Sequence, residues 1–302
     1  MALVDNTTYT GKDLDGFYSV SLLQGNTKSK LRLVPNVKSK VKLGSLNLGN
    51  ILQADSCDVS ASGTYTLDQK TLEVCDFAIN IALCAKDYET NYLSEQIRGG
   101  SNLAENFPDS FMGYLMQLVA ERIAYQTEQM LWTGDTVNSP PLCDGFVSKF
   151  IADGTVIDCG TPTTLSASNI VTELKKVVDA LPKTMQNKTK TKIFISMEAA
   201  AFYETYLVVN TPALYAYNNA DFGLKFMGYD LIVSEGMPKS TMVGCDPLNL
   251  WYGCDIKDEE NNVQFIDDKM ITGQKTARII TSFKWGVQYG NGSEIVLYGT
   301  GS

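Results

Sequence analysis

The stretch from Pro108 to Asp135 constrains the fold more than any other part of this sequence. Asp109 and Ser110 each suit a helix cap, and Pro108 just before them does little harm because the first amides of a helix have no internal partner. Met112, Leu115, Met116, Val119, Ile123 and Met130 then recur at helical spacing. Thr133-Gly134-Asp135 closes the run. The pattern predicts one helix from about Asp109 to Trp132, roughly 36 Å long at ~1.5 Å per residue. A rod of that length is longer than most and suits a structural spine, with these six apolar side chains as its expected core.

Upstream of the spine the pattern is extended. The first 27 residues are rich in Gly, Thr, Asn and Asp and read as an extended arm or a frayed terminus. From Lys28 to Lys42 there are six basic residues and no acidic one: Lys28, Lys30, Arg32, Lys38, Lys40 and Lys42. Lys38, Lys40 and Lys42 alternate with Ser39 and Val41, as on one polar strand face. The run fits either a solvated strand face or a basic strip that docks on an acidic neighbour or against DNA. Further on, Thr64-Tyr65-Thr66-Leu67 and Thr71-Leu72-Glu73-Val74-Cys75 flank Asp68-Gln69-Lys70, which predicts a hairpin turning at 68–70. Leu31 to Asp76 as a whole reads as a β-rich excursion and not as the start of a compact domain.

Downstream, Ser139-Pro140-Pro141 marks a turn or linker. A second helix is expected over about Ala167–Leu181, capped by Ser166 or Ser168 and stopped by Pro182. Its apolar stripe is Ile170, Val171, Leu174, Val177, Val178 and Leu181. A strand at Lys192–Ser196 leads into a third helix, Met197 to about Leu207, with Ser196 as its cap. Further strands are expected at Tyr229–Ser234, Ser240–Gly244, Leu248–Tyr252, Val263–Ile266, Thr276–Tyr289 and Glu294–Tyr298. Asn291-Gly292 has the composition of a hairpin turn between the last two. Helices and strands alternate in the middle and strands alone occupy the end, which reads as α+β or mixed α/β.

Composition removes most catalytic chemistry. None of the 302 residues is a histidine, so Ser-His-Asp and Cys-His constellations and every imidazole metal site are excluded within the chain. Phosphate-binding loops of the GxxxxGK or GxGxxG type are absent. Asp13-Leu14-Asp15-Gly16 resembles the start of a calcium loop but has no Glu at the twelfth position. Asp255, Asp258, Glu259, Glu260, Asp267 and Asp268 form an acidic cluster that reads as a solvated loop between strands. The net charge of -9 does not suit a general nucleic-acid binder, since phosphate contact needs a basic surface. Seven cysteines, Cys57, Cys75, Cys84, Cys143, Cys159, Cys245 and Cys254, include no CxxC pair. They are expected to be mostly free, buried thiols, with a disulfide or a metal cluster as the alternative. No secretory signal opens the sequence and no run of ~20 apolar residues occurs, so no membrane helix is expected. No cofactor is implied, and the chain reads as one that binds itself and not as an enzyme.

The spine and the segments after it carry a family resemblance. Ala120-Glu121-Arg122-Ile123-Ala124, Glu128-Gln129-Met130-Leu131-Trp132-Thr133-Gly134-Asp135 and Cys143-Asp144-Gly145-Phe146 resemble a stretch in the major capsid proteins of tailed bacteriophages, of the Hong Kong 97 type. Lys192 to Ala201, Gly228 to Pro238, Cys245 to Gly253 and Gln288 to Tyr298 are similar to later segments of that family in the same order. The resemblance spans roughly residues 30 to 300, and the order of weak segments carries it, not any one motif.

The resemblance implies an α+β fold with four parts. Residues 1–30 would be an N-terminal arm and 31–86 an extended β-hairpin loop reaching over a neighbouring subunit. Residues 87–139 and 255–289 would be a peripheral domain with the spine helix, and 140–254 with 290–302 an axial domain around which five or six copies meet. The implied function is self-assembly into pentamers and hexamers of an icosahedral head around double-stranded DNA, without sequence-specific binding. Implied partners are a portal, decoration proteins and a separate scaffolding protein, since only about 30 residues precede the loop. The location would be the virion, after synthesis in the host bacterial cytoplasm. The basic residues from Lys28 to Lys42 become candidate inter-subunit contacts. Two other uses compete: an encapsulin-like nanocompartment shell, which shares the fold, and another virion or tail structural protein.

Overall fold

The computed structural model describes residues 27–49, 52, 65–84, 109–136, 143–160, 162–210, 223–255, 264–267 and 276–299. Its helices are α1 (Asp109–Thr133), α2 (Phe146–Ala152), α3 (Ile170–Ala180) and α4 (Met197–Asn210). The strands up to α4 are β1 (Arg32–Val34), β2 (Lys40–Leu48), β3 (Tyr65–Glu73), β4 (Cys75–Cys84), β5 (Ile157–Asp158) and β6 (Lys192–Ser196). After α4 come β7 (Lys225–Phe226), β8 (Tyr229–Ser234), β9 (Met242–Cys245), β10 (Leu250–Cys254), β11 (Gln264–Asp267), β12 (Thr276–Tyr289) and β13 (Val296–Tyr298). The class is α+β.

The chain divides into two units. Asp76–Thr127 and Asp255–Trp285 belong to one, and Asn26–Cys75, Glu128–Cys254 and Gly286–Ser302 to the other. Both α1 and β12 run through the division. In the first unit β11 pairs antiparallel with β12, from Gln264↔Ile280 to Asp267↔Ala277, and β4 pairs with β12 as well. Phe77 of β4 stacks on Phe283 and Trp285 of β12, at 5.6 and 4.9 Å between ring centroids. On α1, Ile123 is buried and Val119 half-buried. The side chains of Met112, Leu115 and Met116 lie outside the described residues.

The second unit is built on a six-stranded sheet in the order β5-β13-β9-β6-β8-β7. β6 is central, parallel to β8 and antiparallel to β9. Ile193 and Ile195 of β6 face the core that α3 and α4 cover with Ile170, Leu174, Val177, Tyr203 and Leu207. Phe194, one residue out of phase, points to the other side. There it meets Trp132 at the end of α1, 5.4 Å away, and Trp132 meets Phe146 of α2 at 5.5 Å. Contacts continue from Phe146 to Phe150 and from Phe150 to Tyr289 of β12. β1 pairs parallel with β10, and β10 lies beside β12.

Backbone approaches that exclude any side chain fix the end of α1. The Gly145 amide donates to the Gly134 carbonyl at 2.8 Å, and Ser148 Oγ donates to the same oxygen at 2.7 Å. A Cβ on Gly145 would lie 2.6 Å from the Trp132 carbonyl. A Cβ on Gly236, in the turn after β8, would collide with the Glu128 carbonyl and lie 2.6 Å from the Gln129 amide nitrogen.

Four expectations need correction. Asp68-Gln69-Lys70 is not a turn, because β3 runs straight through it and pairs with β2 over its whole length. Nothing in that triplet demands a positive φ, so its polarity marks an exposed strand. Asn291-Gly292 does not join a hairpin: β12 and β13 lie in different sheets. Asn291 instead turns the chain through its side chain, which accepts from the Ser293 amide at 3.2 Å. Neither Ser166 nor Ser168 caps α3; Asn169 holds the cap position and accepts from the Ser166 amide at 2.8 Å. Finally, Cys75 and Cys143 form a disulfide across a sequence separation of 68. Cys159 and Cys245 are free thiols, and burial pushes Cys159 up to about 12. Ser196 does cap α4, accepting from the Ala199 amide at 3.3 Å. Asp13-Leu14-Asp15-Gly16 and Ser139-Pro140-Pro141 lie outside the described residues, as do Cys57, Asp258, Glu259, Glu260 and Asp268.

Gly236→Ala is expected to destabilise the protein by about 3 kcal/mol or more, because backbone and not a flexible side chain must move. Gly154→Ala, with nothing within 4 Å of the new Cβ, should stay within about 0.5 kcal/mol of the parent. Urea denaturation of both variants checks the contrast. Reductant should lower the parent's denaturation midpoint by an amount equivalent to about 2–4 kcal/mol, and leave a Cys75→Ser, Cys143→Ser variant unmoved.

Candidate assembly surface

β2 and β3 form a two-stranded ribbon in unbroken register, from Lys40↔Glu73 at the root to Leu48↔Tyr65. Among the described residues it pairs with no third strand. Such a hairpin is marginal alone in water, so its root has to be held. Leu72 is fully buried and forms a small core with Val37 and Val74, backed by Val34, Val41 and Leu43. Its side chain fills the space over Gly253 of β10, where a Cβ would come within 2.6 Å of it. The Val74 amide donates to the Ser39 carbonyl at 3.0 Å, and Gln288 Nε2 to the Thr71 carbonyl at 2.8 Å.

A polar anchor stands beside this core. Lys70 Nζ donates to Asp153 Oδ2 at 2.8 Å and lies 3.6 Å from the centre of the Tyr289 ring. The Tyr289 hydroxyl donates to the same carboxylate oxygen at 2.6 Å. The amide and hydroxyl of Thr155 donate to Asp153 Oδ1 at 2.9 and 2.8 Å. Burial by itself would raise the Asp153 pKa, but the donors Lys70, Tyr289 and Thr155 outweigh it and hold the carboxyl well below the usual range. Burial, together with the bond to Asp153, pushes the Tyr289 hydroxyl up. Next to them burial lowers Lys149, whose Nζ donates to the Val287 carbonyl at 2.6 Å.

Beyond the root the ribbon is open. Residues Tyr65 to Gln69 are all exposed, Tyr65 by 76% and Leu67 by 59%.

The six basic candidates sit in different surroundings. Lys28 lies in a short 3-10 turn with its Nζ 4.5 Å from the Tyr252 ring centre, and Arg32 of β1 lies 5.9 Å from that of Trp251. Lys30 and Lys38 are exposed. Lys40 and Lys42 share one face of β2, and Lys40 bridges Glu73 at 2.9 Å. Just ahead of this segment Thr27 is buried. Its hydroxyl donates to Glu128 of α1, and Ser234 Oγ donates to the same Glu128 oxygen at 3.0 Å. Trp132 Nε1 donates to Thr27 Oγ1 at 3.3 Å.

Known structures share the fold over nearly the whole chain. The procapsid of satellite phage P4 with its size determination protein matches 95% of this chain and 98% of its own, with 10% identity and a TM-score of 0.56. The capsid of a native GTA particle matches 91% and 90%, with 13% identity and a TM-score of 0.59. Mycobacterium phage Cain matches 91% and 90%, with 14% identity and a TM-score of 0.56. The chain has a phage major capsid fold. No family model matches the sequence, and no curated protein matches it either. Within this capsid fold, three features escaped sequence reasoning: the Lys70–Asp153–Tyr289 anchor, the Thr27–Glu128–Ser234 cluster and the Cys75–Cys143 bond. Each joins residues far apart in sequence.

Asp153→Asn should lower stability at pH 7 by about 1–3 kcal/mol through loss of charge-assisted bonds. The folded pKa of Asp153 is depressed, so the parent's advantage is complete above the unfolded value of ~3.9. It is lost as pH falls through that value toward the folded one. Urea midpoints of parent and variant should therefore converge below about pH 4.

Proposed function

We propose that this chain is a major capsid protein that assembles with copies of itself into pentamers and hexamers. These would form the icosahedral head enclosing the double-stranded DNA genome of a tailed phage. The observation that carries the reading is a ribbon with exposed distal residues, rooted in a chain whose phage capsid fold extends over nearly all its length. A two-stranded element anchored firmly at one end and bare at the other is built to meet another molecule.

In this reading residues 1–30 are the arm, 31–86 the extended hairpin loop, 87–139 and 255–289 the peripheral domain, and 140–254 with 290–302 the axial domain. The basic residues Lys28, Lys30, Arg32, Lys38, Lys40 and Lys42 contribute contacts between subunits. Rings of copies are closed by heterologous contacts around a rotation axis. Each contact can be modest, because a subunit already held by one neighbour meets the next at high effective concentration. A scaffolding protein, a portal and decoration proteins complete the head. The net charge of -9 suits a container wall that does not grip its DNA. The role is structural and not enzymatic, with the virion as the final location after synthesis in the host bacterial cytoplasm.

The test is to produce the full chain in bacterial cells, alone and with its candidate scaffolding protein, and to image the product by negative-stain microscopy. The parent is expected to form shells. A variant with Ser45–Asp68 replaced by an Asn-Gly turn keeps the root contacts and should fold but form no shells. Normal shells from that variant would remove the hairpin's role, and a parent that forms neither rings nor shells in either setting would end the capsid reading.

A further inference from the structure

We infer that Cys75 and Cys143 form a clasp that is open while the chain is in the cell and is closed afterwards by a small-molecule disulfide entering at Cys75. The inference rests on the cytoplasmic synthesis in the reading above and adds to it a modification site with its own chemistry. The two sulfurs are bonded in the folded chain across a sequence separation of 68. A reducing cytoplasm keeps such pairs as thiols. A chain made there therefore folds with the pair unbonded, and the bond waits for an oxidant met after release.

Contacts other than the bond position both residues. Cys75 follows directly on the ribbon's root, where Leu72 and Val74 are buried with Val37 and the Val74 amide donates to the Ser39 carbonyl at 3.0 Å. Gly286 of β12 fits against the same backbone, since a Cβ on it would collide with the Glu73 carbonyl. Cys143 sits in the loop between α1 and α2. A Cβ on Gly134 would collide with the Cys143 carbonyl, and Asp144 accepts from the amide and hydroxyl of Thr136 at 3.0 and 2.9 Å. Cys75 is the last residue of the second unit before the chain enters the first, and Cys143 lies beyond its return at Glu128. The bond thus fastens both ends of the excursion 76–127 to each other within the second unit. It also makes the hold of the ribbon's root on the end of α1 covalent.

The two sulfurs differ in access, and access sets the order of events. Cys143 is 4% exposed, whereas Cys75 is only half-buried. The Cys75 thiolate attacks one sulfur of a low-molecular-weight disulfide such as glutathione disulfide. A mixed disulfide forms and the first small thiol leaves. The Cys143 thiolate then attacks the Cys75 sulfur and expels the second small thiol. Two protein thiols are oxidised to one disulfide, the small disulfide is reduced to two thiols, and the two protons end on those thiols. Cys159 and Cys245 compete poorly, because burial raises both thiols and leaves little thiolate to attack.

The test follows both cysteines in the full chain produced in bacterial cytoplasm. Cells are lysed directly into urea with N-ethylmaleimide, and the cysteine peptides are mapped by mass spectrometry. Cys75 and Cys143 should both carry the label. After the native protein has been incubated with glutathione disulfide, they should be joined to each other and carry none. In Cys143→Ser the glutathione should remain on Cys75, and in Cys75→Ser an adduct at Cys143 should form at least about tenfold more slowly. Glutathione disulfide should raise the urea concentration that dissolves the parent's shells, and leave that of Cys75→Ser shells unchanged. A bond already present at lysis, a bond from Cys75 to another cysteine, equal rates in the two single variants, or oxidised shells no more resistant than reduced ones overturns the clasp. Labelling reads the chain itself, so a parent that shows the expected pattern but makes no shells ends the capsid reading and leaves the clasp standing.

Discussion

The second unit depends on how tightly other segments close around the C-terminal end of α1. Trp132 is fully buried and touches Phe146 on one side and Phe194 on the other. Gly236 lies directly against the Glu128 carbonyl, and Gly145 against Trp132 and Gly134. These approaches bring the loop into α2 and the turn after β8 each within van der Waals distance of the backbone at the helix end. A side chain at Gly236 would push the turn after β8 off the helix, and one at Gly145 would push off the entry to α2. Packing at this density transmits small changes in volume instead of absorbing them.

Buried carboxylates beside this packing are held in place by hydrogen-bond donors. Glu128 accepts from the hydroxyls of Thr27 and Ser234. Glu173 of α3 accepts from Lys176 at 2.9 and 2.8 Å and from the Tyr298 hydroxyl at 2.7 Å. Burial alone would raise the Glu173 pKa, but Lys176, Tyr298 and Thr163 outweigh it and the net shift is downward. Burying a charge is costly unless it is paired and hydrogen-bonded, and each of these groups ties together segments distant in sequence. Glu128 fastens the entry of the basic segment to the helix, and Glu173 fastens α3 to β13. The Asp153 anchor does the same for the ribbon, so the three acids mark where the second unit is cross-linked by polar contacts.

Much of this fold was legible in the sequence, and the boundary of what was legible has a physical cause. β6, β8 and β12 fall at the residues expected for them, Lys192–Ser196, Tyr229–Ser234 and Thr276–Tyr289. Each is dense in β-branched and aromatic residues because much of it is buried. The spine was legible through its apolar spacing and its Gly134 stop. β3 was misjudged because an exposed ribbon does not need an apolar alternation on a fixed face, so its polar centre looked like a turn. Asn291-Gly292 has hairpin chemistry, yet the partner of β13 is chosen by the sheet and not by the turn: β13 pairs with β5 and β9. The anchor joins Lys70 to Asp153 and Asp153 to Tyr289, residues 83 and 136 apart in sequence. No local pattern can report a pairing over such distances.

The ribbon brings these constraints together. Its root is specified twice, by the apolar core around Leu72 and by the charge-assisted bonds to Asp153, so its register is fixed where it leaves the body of the unit. Because side chains alternate with a period of two, a slip of one residue would exchange the two faces completely. Fixing the root therefore also fixes which face of the distal half carries Tyr65 and Leu67. An unanchored edge of this kind would pair with any strand it met. Held at Lys70 and Leu72, it can offer its apolar residues in only one orientation.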